Sequence, residues 1–208
     1  MNRKPLRGVF LLGIGRGAEG MAQFESTVAA FTTSLAPLLA FPVLMFLSGL
    51  VQGQIREAVA VLLLTAVIDL SPSVLSHILA VRWQREAEWM RYATALNWCR
   101  GMIQLASLAA LLLLGGGAPN EQVLEIVVFA VFAYVLWLNW LVARHGLALG
   151  AGRAVLLVLG VTIGTGLLVF VPQMVALAVN GIPPELAATA TGPNGSGPNA
   201  SGPNGSGL

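Results

Sequence analysis

Asp69 stands inside the run "VLLLTAVIDLSPSVL" and Arg100 inside "YATALNWCRGMIQLAS", so both ionisable side chains have apolar sequence neighbours. A carboxylate and a guanidinium in such surroundings can do two kinds of chemistry. They can pair, removing two isolated charges from a poor solvent for ions. They can also handle a proton, an ion or a solute in a polar cavity. His77, Asn97, Gln104 and Asn139 lie in the same apolar runs and can donate or accept hydrogen bonds. The tripeptide Leu-Asn-Trp occurs at Leu96–Trp98 and again at Leu138–Trp140, a repeat too short in so biased a chain to show duplication. Asp69, His77, Asn97, Arg100 and Asn139 form the candidate polar centre.

Other chemistry is poorly provided for. Gly15-Arg-Gly-Ala-Glu-Gly20 fits the glycine pattern of a dinucleotide loop. That mechanism needs a strand before the loop and an acid about 20 residues on for the ribose. The next acid after Glu25 is Glu57, and an apolar run intervenes. The glycines therefore read as a flexible approach to that run. His77 and His145 have no second ligand at helical spacing. Cys99 is the single cysteine, which excludes an intramolecular disulfide and a cysteine-based zinc site. No catalytic, cofactor-binding or metal residue is assigned, and an enzyme is not expected.

The frame that must hold the polar centre follows from composition. The 208 residues are 56% hydrophobic and 10% charged, against about 25% charged in soluble domains. Mean hydropathy is +0.80. Such a chain cannot cover a surface with polar groups, and a bilayer is its natural solvent. Five apolar stretches approach spanning length: Ser34–Val51, Ala58–Val81, Tyr92–Leu114, Val123–Ala143 and Ala154–Val179. The first holds Pro37 and Pro42 and is read as a kinked or re-entrant segment. Ahead of it, Phe24, Val28, Phe31 and Leu35 recur at helical spacing, either as a short interfacial amphipathic helix or as an extension of the span.

Charge sets the orientation. Arg3, Lys4, Arg7 and Arg16 precede the first span, Arg82, Arg85 and Arg91 follow the second, and Arg144 and Arg153 follow the fourth. The first connection has only Arg56, and the third connection and the tail have no basic residue. This alternation predicts an N-terminus in the cytoplasm and a C-terminus outside, and the apolar run Val9–Ile14, too short for a signal-peptide core and closed by Arg16, leads us to expect no cleaved signal. In the second connection Arg82 and Glu86 are spaced to pair on one helix, while Trp83, Trp89 and Tyr92 suit the headgroup level.

With these spans, Asp69 lies about 18 Å and Arg100 about 12 Å from the cytoplasmic ends of adjacent antiparallel helices. Their side chains can meet. His77, Asn97 and Asn139 fall in the cytoplasmic half, with the two asparagines at matching depth. The polar set is either glue between helices or the lining of a cavity open to the cytoplasm. Gly160 and Gly164 give the fifth span a small-residue face for helix packing, read as an intramolecular contact.

Three segments carry a family likeness: "FESTVAAFTTSLAPLLAFP", "YATALNWC" and "YVLWLNWLVARHGL". In them the chain resembles a group of uncharacterised alphaproteobacterial multi-pass inner-membrane proteins, distantly Yip1-like in architecture. The resemblance implies a bacterial inner-membrane location and a role in membrane organisation, and it carries no catalytic residue. The expectation is an all-α integral membrane bundle in three parts. These are residues 1–33, a cytoplasmic N-terminus with an interfacial helix; 34–181, the five spans; and 182–208, a disordered Gly/Pro/Asn/Ser tail. The expected role is structural, assembly or organising, with a small-solute or proton transporter subunit as the alternative. The expected partners are the lipid bilayer and a membrane protein or a second copy of the chain, with no nucleic acid.

Overall fold

Runs of Leu, Val, Ala and Ile broken by short polar turns fold into helices, because a backbone surrounded by lipid must satisfy its own hydrogen bonds. The computed structural model describes residues 4–113 and 121–180. Among them there are seven helices and no strand: α1 (Pro5–Gly13), α2 (Gly17–Met21), α3 (Val28–Val51), α4 (Ile55–Arg82), α5 (Glu86–Leu113), α6 (Glu121–Gly146) and α7 (Ala151–Asn180). The chain divides into two compact units, Met1–Leu167 and Leu168–Leu208. The second unit is described only as the end of α7, and all that follows concerns the first.

Among the described residues four helices are long and apolar enough to cross a membrane: α3, α4, α6 and α7. Only 17% to 28% of their most apolar windows is buried inside the protein. Ile126, Phe129, Leu156 and Ile163 point outward and are more than half exposed. Water does not tolerate so much contiguous apolar surface on a monomer, and a bilayer does. α3 is one continuous helix through Pro37 and Pro42, capped by the Thr27 hydroxyl, which accepts a hydrogen bond from the Ala30 amide at 3.1 Å.

The third span of the sequence reading corresponds to α5, which is 28 residues long but is not among the four apolar helices. It is instead the enclosed one. Tyr92 through Asn97, Cys99 and Gly101 are buried, against α3 on one side and α4 and α6 on others. At Gly101 a Cβ would stand 2.6 Å from the Pro37 carbonyl carbon and 2.7 Å from the Leu38 nitrogen. Only glycine lets the two backbones come that close.

The structure decides one open expectation and corrects two others. First, Val28, Phe31 and Leu35 belong to α3 itself, so they extend the span and form no separate interfacial helix. A different short helix, α1, lies ahead of the span; it buries Gly8, Leu11 and Leu12 and leaves Leu6, Phe10 and Ile14 exposed. Second, the Gly15–Gly20 loop is a close-packed corner rather than a flexible approach. Gly15 turns the chain at φ 87°, Gly17 lies against the His145 ring, and Gly20 lies against Leu12. α1 and α2 thus fold back on one another and pack on α5 and α6, and the Tyr134 hydroxyl donates to the Gly13 carbonyl at 3.1 Å. Third, Arg82 and Glu86 do not share a helix. α4 ends at Arg82 and the chain turns through Gln84 at φ 57°, after which Arg85 pairs with Glu88 at 3.8 Å. The expected disordered tail, 182–208, lies outside the described residues.

Candidate functional site

Pro72 organises the site. Its ring nitrogen has no hydrogen, so the Ile68 carbonyl loses the helical donor four residues on. The Ser71 hydroxyl donates to that carbonyl at 3.0 Å. One residue further, the Asp69 carbonyl receives Arg100 Nη1 at 3.0 Å, while Arg100 Nη2 reaches Asp69 Oδ1 at 3.3 Å. Gln104, one turn along α5, donates from Nε2 to the same Oδ1 at 2.8 Å. Asp69 is 2% exposed. The guanidinium therefore clamps backbone and side chain of one residue, and the ion pair joins α4 to α5.

A second polar contact lies beside it. Asn97, fully buried, bridges three helices: its Nδ2 donates to Ser34 Oγ of α3 at 3.1 Å, and its Oδ1 accepts from Ser73 Oγ of α4 at 3.0 Å. Trp89 Nε1 donates to Ser76 Oγ at 3.3 Å. The His77 ring meets the Trp89 ring at a tilt of 59° with centroids 4.5 Å apart, its Nδ1 buried without a hydrogen-bond partner. Ser71 Oγ also lies 3.0 Å from Thr165 Oγ1, tying α4 to α7.

The five residues of the candidate centre thus separate into distinct contacts. Asp69 and Arg100 meet. Asn97 takes its partners from α3 and α4 and not from Asn139. Asn139 lines a cavity of about 190 Å³ together with Arg100, Pro72, Thr162 and Thr165. Gly160 and Gly164 face the Leu79 and Leu75 side chains of α4, and the close backbone approach occurs at Gly101. The serines were not singled out from the sequence. A signal existed on α4, where Asp69, Ser73, Ser76 and Ala80 recur at 4, 3 and 4 residues and are all buried, a polar stripe on one helical face. For Ser34, which follows Thr32 and Thr33 in α3, there was none.

Among the described residues no three potential metal ligands converge, and the Cys99 thiol is free and buried. The arrangement defines an all-helical membrane bundle with an internal polar core. The chain matches no protein-family model, no curated protein and no solved structure.

Proposed function

We propose that this chain is a non-enzymatic membrane-organising or assembly component. It is a five-span bundle with its polar groups turned inward and its apolar faces offered to lipid and to a membrane-protein partner or a second copy. The observation that carries this reading is the use of Asn97, Asp69, Arg100 and Gln104 in helix–helix bonds. Such bonds are the usual glue of membrane bundles. The fifth span is α5, equal in length to α4 and sheltered by its neighbours from the lipid that its polar residues would oppose. Five spans and the alternation of basic residues give a cytoplasmic N-terminus and a periplasmic C-terminus, in the bacterial inner membrane that the resemblance implies.

The test has two parts. Cross-linking and affinity capture from the native membrane should recover a defined membrane-protein partner or a homo-oligomer; recovery of the chain alone as a monomer counts against the role. Asp69→Asn and Arg100→Leu should each destabilise the protein, by about 3 kcal/mol where a buried charge loses its partner. The double variant should recover part of that loss.

A transporter reading rests on a different observation. Asp69 Oδ2 and Gln104 Oε1 are buried with no hydrogen-bond partner, so the carboxylate keeps one oxygen for a proton or a cation. Proteoliposomes should then show a flux that Asp69→Asn abolishes, and a silent wild-type protein over a broad solute panel rejects it.

A further inference from the structure

The cavity beside Arg100 has a composition that points to a ligand. It lies among α4, α5, α6 and α7, and its walls are mostly apolar, with Leu96, Phe132, Leu157 and Val161 among them. Its residues with polar side-chain groups are few: Tyr92, Arg100, Asn139, Thr162 and Thr165. Apolar walls with a few convergent polar groups are the usual make-up of a small-molecule site. Its volume, about 190 Å³, exceeds the about 150 Å³ of an engineered cavity that takes up benzene. The space suits a single substituted ring.

Charge narrows the class. Arg100 is already neutralised by Asp69 at 3.3 Å. An anionic head would leave the group with a net negative charge inside the bundle, which is costly there. A neutral head with hydrogen-bond-accepting oxygens meets no such penalty. It can take donors from the free edge of the guanidinium and from the Asn139 side-chain amide. A second, wholly apolar-walled groove is lined by Leu136, Trp137, Trp140, Val155, Val158 and Leu159. Leu136 and Val158 line both spaces, so the groove lies next to the cavity across that pair of side chains, between α6 and α7. The groove suits a hydrocarbon tail.

We propose that this cavity and groove bind a neutral, single-tailed lipid with a ring-sized, carbonyl-bearing head, the chemistry of an isoprenoid quinone. The head rests against Arg100 and Asn139, and the tail leaves along Leu136 and Val158. Binding is separate from the organising role: failure of quinone binding leaves partner capture unaffected, and failure of capture leaves quinone binding unaffected.

The experiment uses the purified full chain in nanodiscs with a photoreactive azido-quinone, the labelled peptides being read by mass spectrometry. Labelling should saturate and fall on residues 132–140 and 155–165, and decylubiquinone should compete for it. Decanoate, with a similar tail and a charged head, should compete at least tenfold more weakly. Asn139→Leu, which keeps the branching at Cγ and replaces the amide with two methyl groups, should weaken decylubiquinone about tenfold. Val161→Trp, which fills the cavity, should abolish labelling, with circular dichroism and monodispersity checking its fold. Labelling spread evenly over the lipid-facing helices, equal or stronger competition by decanoate, or indifference to Asn139→Leu each overturns the proposal.

Discussion

Asn97→Leu separates a structural hydrogen bond from mere tolerance of an asparagine. Leucine branches at Cγ as asparagine does but is the larger residue, so at this buried site the change removes polarity and adds a modest overpacking cost. Two interhelical bonds are lost, to Ser34 at 3.1 Å and from Ser73 at 3.0 Å. Bonds of this kind in membrane proteins average about 0.6 kcal/mol each and reach about 1.7, so the pair is worth roughly 1.2 kcal/mol, with a ceiling near 3.4. The groups left behind lower the figure. Ser34 Oγ keeps its bond to the Phe31 carbonyl at 2.6 Å, and Ser73 can turn to a carbonyl of its own helix. A loss of about 1 to 2 kcal/mol is expected in SDS-titration unfolding. Cys99, 1% exposed and on the same helix, supplies a second readout, since maleimide labelling of its thiol should accelerate as α5 opens more often. Asn139→Leu, in the twin tripeptide, breaks no hydrogen bond and should change stability by less than about 0.5 kcal/mol. Equal effects of the two substitutions, or an Asn97→Leu protein as stable as the wild type, refute the reasoning. A coupling energy near zero between Asn97→Leu and Ser73→Ala does so as well.

The glycines give further tests. Gly101→Ala puts a methyl group against the Pro37 backbone, which cannot move without shifting α3. A loss of about 1 to 3 kcal/mol is expected in the same unfolding assay. Gly164→Ala meets only the Leu75 Cδ1 atom, at 2.8 Å, and a rotamer change relieves it, so an effect within about 0.5 kcal/mol is expected. Gly17→Ala drives a methyl group into the His145 ring. It should lift the α1–α2 corner from α6, seen as faster trypsin cleavage after Arg7 and Arg16 with the remaining helices intact.

The helices were legible because apolar runs of spanning length have few alternatives, yet their ends were set too short. α5 begins at Glu86 rather than Tyr92, since a helix continues into the interface where its side chains turn polar. The contact between Asp69 and Arg100 was legible for an electrostatic reason: two opposite charges on consecutive antiparallel helices at overlapping depth have each other as the cheapest partner. The partners of Asn97 were not, because serine is common in membrane helices and declares nothing by itself. Glycine spacing misled at the N-terminus. In Gly15–Gly20 the absence of side chains reads as freedom, whereas Gly17 and Gly20 serve contact with His145 and Leu12, and contact is a tertiary property. Helical spacing misled between Arg82 and Glu86, where the turn at Gln84 separates two residues that one helix would have joined.

The enclosure of α5 has a consequence for biogenesis. A helix carrying Asn97, Arg100 and Gln104 is a poor candidate to partition into lipid alone, an arginine near the middle costing about 2.5 to 3.5 kcal/mol on insertion scales. α3 and α4 leave the ribosome first, and they carry the groups that α5 needs: Ser34, Ser73 and both the carboxylate and the carbonyl of Asp69. With α5 as the fifth span proposed above, the order of the chain builds the receptor before its ligand, and α5 inserts beside a docking slot already waiting.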